Sequence, residues 1–397
     1  MIFNNKLQNK EKVSVTSYGM HKHLKISIFV VLFLVLFSPH IVSAATESIS
    51  LIREDCTGYD SCYTSLSAWE AAEQKDLVAA DEIAVAQIDG TWTSADTTAV
   101  TIDGWTTDAT HYIKIYTTAE ARHDGKWNDT KYRLSPTGNT ISLHIQEGYV
   151  RIDGLQISSS LSWAVWLATV QITPPAGTAE IQISNNIIRD KDKASEVRYG
   201  GIYGSTVSGS NTFVLKVWNN IVYDYLYVYS QSGAIGVNPD TDWTSYIYNN
   251  TMHSCHRGLY FHAVVNVVAK NNIVQNCTVA YDDSFDTGSN YNISDIADDT
   301  TGGANDKHTT TVTFVDEAND DFHLATTDTA ALGAGTNLSA DANLAFSDDI
   351  DGDTRDSSWD IGADAIVVSS AVTSAATIYR RTTKPTISSV QAIDITD

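Results

Sequence analysis

Four segments of the chain repeat one pattern: IQISNNIIRD (181–190), LKVWNNIVYD (215–224), SYIYNNTMHS (245–254) and VVAKNNIVQN (267–276). The first Asn of each pair stands at Asn185, Asn219, Asn249 and Asn271, at intervals of 34, 30 and 22 residues. An earlier relative, VRIDGLQIS, puts Gly154 at the position of the first Asn, and a later one, SNYNISD, is weaker. A repeat of about 22 residues is the length of one coil of a solenoid, and the longer intervals add loops to one side of the coil. In this register Ile183, Val217, Ile247 and Ala269 form one inward column, and Ile188, Val222, Met252 and Val274 form another. The Asn pair between them is a corner, because Asn tolerates the left-handed backbone and its amide can stack from rung to rung. Glycine-led strands at GGIYG (Gly200), GAIGV (Gly233) and RGLYFH (Arg257) fit another side of each coil.

Most of the chain is rich in Val, Ile, Thr, Tyr and Trp in short alternating runs, the pattern of strands. SCYTSLSAWEAAEQKDL is the exception and predicts a helix, with Ser67 as its cap, Glu70 as the capping-box partner, and Trp69 and Ala72 on one face. The fold class is therefore all-β, a β-solenoid with a short N-terminal helical cap at 45–84, a coil region at 85–365 and a tail or linker at 366–397.

Residues 20–44 read as a secretory signal, with a basic start (His21, Lys22, His23, Lys25), an apolar run at 26–37 and a small-residue end at Ala44. Met20 is the better start. The run is too short to span a bilayer, so no membrane span is expected after its removal, and the location expected is secreted or cell-surface. A formal charge of -23 argues against nucleic acid and anionic surfaces as partners. Export permits disulfides among the four cysteines. Cys56 and Cys62 would close a small loop, while Cys255 and Cys277 stack on adjacent rungs, bonded or as a reduced pair, with export inclining towards the bond.

The rung motifs NNIIRD, NNIVYD and KNNIVQN resemble those of right-handed parallel β-helix proteins of the pectin-lyase-like superfamily, over roughly residues 85–365. The segments DFHLATTDTAALGAGTNL and DIDGDTRDSSWDIGADAI resemble the terminal part of many secreted bacterial proteins of that type. The resemblance implies an end cap at 321–365, with Arg355 paired to a neighbouring Asp. It also implies a scaffold that carries lyases, hydrolases, adhesins and tailspikes alike, so chemistry must come from the residues.

The polygalacturonase-like pattern is met only by Asp282-Asp283, without its companion motifs. A pectate-lyase-like site would need calcium-binding carboxylates on successive rungs and a basic residue. Asp190 and Asp224 share a column and Arg189 stands beside the first, but the column continues as Ser254 and Asn276, a polar turn. His253 is a candidate surface acid or base in the column of Arg189, Tyr223 and Gln275. No cofactor or metal site is expected, calcium being an option only under the lyase reading; the acidic run near Gly352 lacks EF-hand spacing. The aromatic residues are more suggestive. Trp218 and Tyr248 share an outward column, and alternation sends Tyr223, Tyr225, Tyr227 and Tyr229 to one face, a strip suited to stacking on sugar rings. The expected function is an exported carbohydrate-binding or structural surface protein with a polysaccharide or cell-surface glycan as partner; the alternative is a polysaccharide lyase or glycoside hydrolase.

Overall fold

A computed structural model describes residues 44–366 except 161–166, 193–198, 206–211, 229–231, 239–242, 262–265, 298 and 300. The stretch before Ala44, where a signal was expected, the residues after Ile366, and Tyr229 lie outside the described residues.

The Asn-marked strands alternate inward and outward side chains, and the structure stacks them rung on rung. Three sheets result. The first, nine-stranded, stacks Thr178–Ser184, Thr212–Trp218, Trp243–Tyr248 and Asn266–Lys270 in direct parallel register. The second, seven-stranded, holds the glycine-led strands Gly200–Ser205, Gly233–Asn238 and Arg257–Phe261, with Ala168–Ile172 before them and Val279–Asp282 after. The third, also seven-stranded, stacks Ile187–Asp190, Ile221–Tyr223, Thr251–His253 and Ile273–Gln275. Each coil visits the three in turn, the geometry of a parallel β-helix. Both predicted inward columns are buried in a single apolar core.

The two Asn of each pair divide the labour at the corner. The first residue of each pair takes the left-handed conformation at Asn185, Asn219, Asn249 and Asn271, and Gly154 does the same one rung earlier. The second Asn points inward and forms a ladder: the amides of Asn186, Asn220, Asn250 and Asn272 each donate to the side-chain oxygen of the next, ending on Asn292, at 2.9–3.1 Å. The weaker relative SNYNISD is thus the last rung of the ladder.

Three sequence expectations change. The solenoid begins earlier than residue 85, since Thr46–Ile52 already pairs in parallel with Glu82–Ile88. Helix α1 (Leu66–Glu73) is capped by Ser65, whose side chain accepts from Ala68 N–H at 3.1 Å, while Glu70 turns inward and accepts from Trp105 Nε1 and Asp103 N–H. Residues 321–364, expected as an end cap, reach three successive corners of the coil. They run along its flank, where Asn219 donates to the Asp348 carbonyl, Asn249 to the Asp360 and Gly362 carbonyls, and Asn271 to the Thr336 carbonyl. Among the described residues, Arg355, buried there, has no carboxylate as a hydrogen-bond partner. It donates to the carbonyls of Asp348, Asp360, Gly362 and Ala363 and to Asn219 Oδ1.

Cys56 and Cys62 are disulfide-bonded. Cys255 and Cys277 are free and buried, and burial pushes the Cys277 thiol well up beside its neighbour. The inclination towards a bond between them is therefore corrected; their stacking is retained. No helix among the described residues is long and apolar enough to cross a membrane.

Candidate functional site

The flanking segment decides which outward residues remain available. With Phe314 just before it, it covers the third sheet through Phe322 and Leu324, in one cluster with Ile187, Ile221, Ile273 and Tyr223. His253 lies beneath it, 4% exposed, with Nε2 2.7 Å from Glu317 Oε1 and its ring tilted on Phe322. Burial pushes this imidazole down, with Glu317 opposing, so it is not a surface acid or base. Arg189 stacks its guanidinium 3.8 Å over Trp127. Asp190 and Asp224 are buried, and Asp224, Ser254 and Asn276 each take the left-handed conformation of a turn, as the polar-turn reading requires.

The tyrosine strip is not on the surface. Tyr223 packs edge-on to Phe322 under the flanking segment. The left-handed residue Asp224 then resets the alternation, so Tyr225 enters the core, 1% exposed, with its hydroxyl 2.7 Å from Thr169 Oγ1. Tyr227 is half-buried, and the exposed residues of that segment are Leu226 and Val228. Tyr248 is buried against Leu338, Leu344 and Trp359, and Trp218 faces Phe346 at 6.2 Å. The five of these candidates that are described, Trp218, Tyr223, Tyr225, Tyr227 and Tyr248, do not form a stacking surface.

The second sheet gathers another group of aromatic residues on its outward register. Its outward register runs Thr101, His144, Gln171, Tyr203, Gly236, Tyr260 and Asp282. Tyr199 lies flat on Tyr203, ring centroids 3.8 Å apart and 5° from parallel. Tyr203 and Tyr260 close over Gly236, where a Cβ would stand only 3.0 Å from the Tyr203 ring. Tyr203 is fully buried and supports the half-buried Tyr199. Two rungs further on, Arg257 pairs with Asp282 and lies 5.4 Å from the Tyr260 ring. Asp283 has turned away at a φ of 100° and is exposed. Thus Asp282 is the member of the acidic pair that reaches this face, held in an ion pair.

The residues that sequence reasoning missed here are Tyr199, Tyr203, Tyr260 and Arg257. Their signal was the glycine-led strands themselves: aligning GGIYG, GAIGV and RGLYF puts Tyr203, Gly236 and Tyr260 in one column.

Three stacked parallel sheets and an inward Asn ladder define a parallel β-helix. No family model matches the sequence, and no curated protein matches it. Among solved structures the chain is similar to one described as the crystal structure of pectate lyase Pel9A, with a TM-score of 0.27 and 13% identity, over 81% of this chain and 96% of that one.

Proposed function

We propose that this chain is an exported carbohydrate-binding protein whose second sheet receives a neutral, extended glycan. The observation that supports this most is the parallel Tyr199–Tyr203 stack, placed two rungs from the Arg257–Asp282 pair on the face that the flanking segment leaves aside. Two strand spacings amount to roughly 10 Å, a length suited to an oligosaccharide of a few units. The outer face of Tyr199 would stack on a sugar ring, and the ion pair would hydrogen-bond its hydroxyls. The charge of -23 disfavours a polyanionic chain. Because Arg257 and Asp282 already satisfy each other, binding is better supported than proton transfer.

Affinity electrophoresis of the full chain through a panel of neutral and acidic polysaccharides tests this reading. Retention by a neutral glycan that Tyr199→Ala and Arg257→Ala each weaken, with Tyr227→Ala unchanged, supports it. Retention indifferent to Tyr199 and Arg257, or release of unsaturated or reducing ends from the polysaccharide, overturns it.

A further inference from the structure

The flanking segment holds a cluster that neither the corner nor the second sheet uses. His323 lies on the strand Asp321–Leu324, Asp351 in the turn before Gly352, and Asp364 near the end of the described chain. One ligand atom from each of the three falls within 4.8 Å of the others. His323 Nδ1 stands 2.5 Å from Asp321 Oδ1, so its N–H donates to that carboxylate. The other nitrogen, Nε2, is thereby turned towards Asp351, 3.2 Å from its Oδ2. This is the arrangement in which a carboxylate orients a ligating imidazole from behind.

The carboxylates are not satisfied by protein alone. Asp351 Oδ1 is buried without a hydrogen-bond partner. Asp364 is 5% exposed, and among the described residues its carboxylate accepts one hydrogen bond, from Leu324 N–H to Oδ2. Gly125, in the left-handed region at a φ of 73°, closes the cluster from the coil side, and a Cβ there would overlap both Asp351 Oδ1 and His323 Nε2. Bare backbone at this point is what lets the two ligand atoms approach. Lys126 lies 3.4 Å from Asp321 and so neutralises the supporting carboxylate rather than the two facing the imidazole.

We propose that His323, Asp351 and Asp364 form a divalent-cation site that fastens the flanking segment to the coil at Gly125. One imidazole nitrogen with two carboxylates suits a small first-row transition ion such as Zn2+, whereas Ca2+ seeks six to eight oxygens. The three ligands come from positions spread along the segment, so one ion joins its first strand, its middle turn and its last stretch. On binding, the cation takes the place of the proton in the His323–Asp351 bridge, and that proton leaves to solvent.

The full chain, stripped with a chelator, is titrated with Zn2+ and separately with Ca2+ and followed by native mass spectrometry and thermal unfolding. One Zn2+ per chain is expected, with a raised unfolding midpoint and little response to Ca2+. Asp364→Asn and His323→Gln are each expected to weaken Zn2+ binding at least tenfold. Zinc X-ray absorption on the unmodified chain is expected to show one imidazole among oxygen ligands, a result that stands even if a variant fails to fold. No stoichiometric Zn2+, preference for Ca2+, a site without imidazole, or folded variants that bind as the parent does would each overturn the proposal and leave His323 as an imidazolium bridging two aspartates.

Discussion

The side-chain amide of Asn220 donates at 3.0 Å to Asn250 Oδ1, and the same oxygen accepts the backbone N–H of Asn220 at 3.0 Å. Each inner Asn thus binds the backbone and the side chain of the rung before it. It also donates across the corner, as Asn220 does to the Ile183 and Trp218 carbonyls. The outer Asn of the same pair serves another partner, the flanking segment. The corner therefore both joins the rungs and seats residues 321–364.

Removing one member of the inner ladder strands several buried groups at once. Asn220→Ala is expected to destabilise the chain by about 3 kcal/mol or more, since each unsatisfied buried group costs roughly 1–3 kcal/mol. Asn219→Ala removes only the bonds to Asp348 and Arg355, so its loss is expected to be smaller. Its distinguishing mark is faster proteolysis within 321–364. Urea unfolding and limited proteolysis of the two variants separate these effects; equal unfolding losses would contradict the division of labour.

Tyr225 distinguishes a core residue from a surface one. Tyr225→Ala is expected to cost roughly 3–5 kcal/mol as a large buried aromatic, and Tyr225→Phe about 1 kcal/mol for the bond to Thr169. Thermal or denaturant unfolding reads both. A melting curve unchanged by Tyr225→Ala would return this residue to the surface.

The burial of Tyr225 shows where sequence reading stopped. Alternation holds within a strand, and both inward columns were legible from it. It does not hold through the left-handed Asp224, which moves Tyr225 to the inside. The covering of the third sheet did leave a trace. Ile187, Ile221 and Ile273 occupy outward positions beside inward Ile188, Val222 and Val274, and strands apolar on both faces are covered on both. What sequence could not supply was the identity of the cover, because the non-repeating segment 321–364 has no register of its own. The second-sheet face was obscured for a related reason: its strands carry no Asn marker, and their alignment needs the pairing of Gly200 with Gly233.

Buried thiols are poor nucleophiles, the more so when burial raises their pKa. Without reductant, iodoacetamide is expected to leave the native chain unlabelled and to add two groups, at Cys255 and Cys277, once it is unfolded. Peptide mapping should find Cys56 joined to Cys62. Absence of labelling after unfolding would mean that Cys255 and Cys277 are bonded.

Acid is expected to weaken the fold through His123. Its Nδ1 accepts from Gly125 N–H at 3.2 Å and its Nε2 contacts the Asn185 carbonyl at 3.0 Å, so the neutral ring fills both positions. Burial, with Arg122 adding to it and Asp351 and Asp153 opposing, pushes this imidazole down to about 3. The unfolded chain takes up the proton near an ordinary histidine value of about 6.5. Stability from this group is therefore complete above that value and falls as pH drops from there towards 3, by at most about 1.4 kcal/mol per pH unit. Unfolding at a series of pH values should show a shallower acid loss in His123→Asn than in the parent chain. Identical slopes would contradict the neutral buried ring.

The central claim, a glycan on the second sheet, is tested most directly by a crystal structure of the chain with an oligosaccharide of the polysaccharide it retains best. Sugar density against Tyr199, reaching towards Arg257 and Asp282, is the predicted result. Sugar bound at Leu226–Val228, or on the flank formed by 321–364, with the second sheet empty, would contradict it.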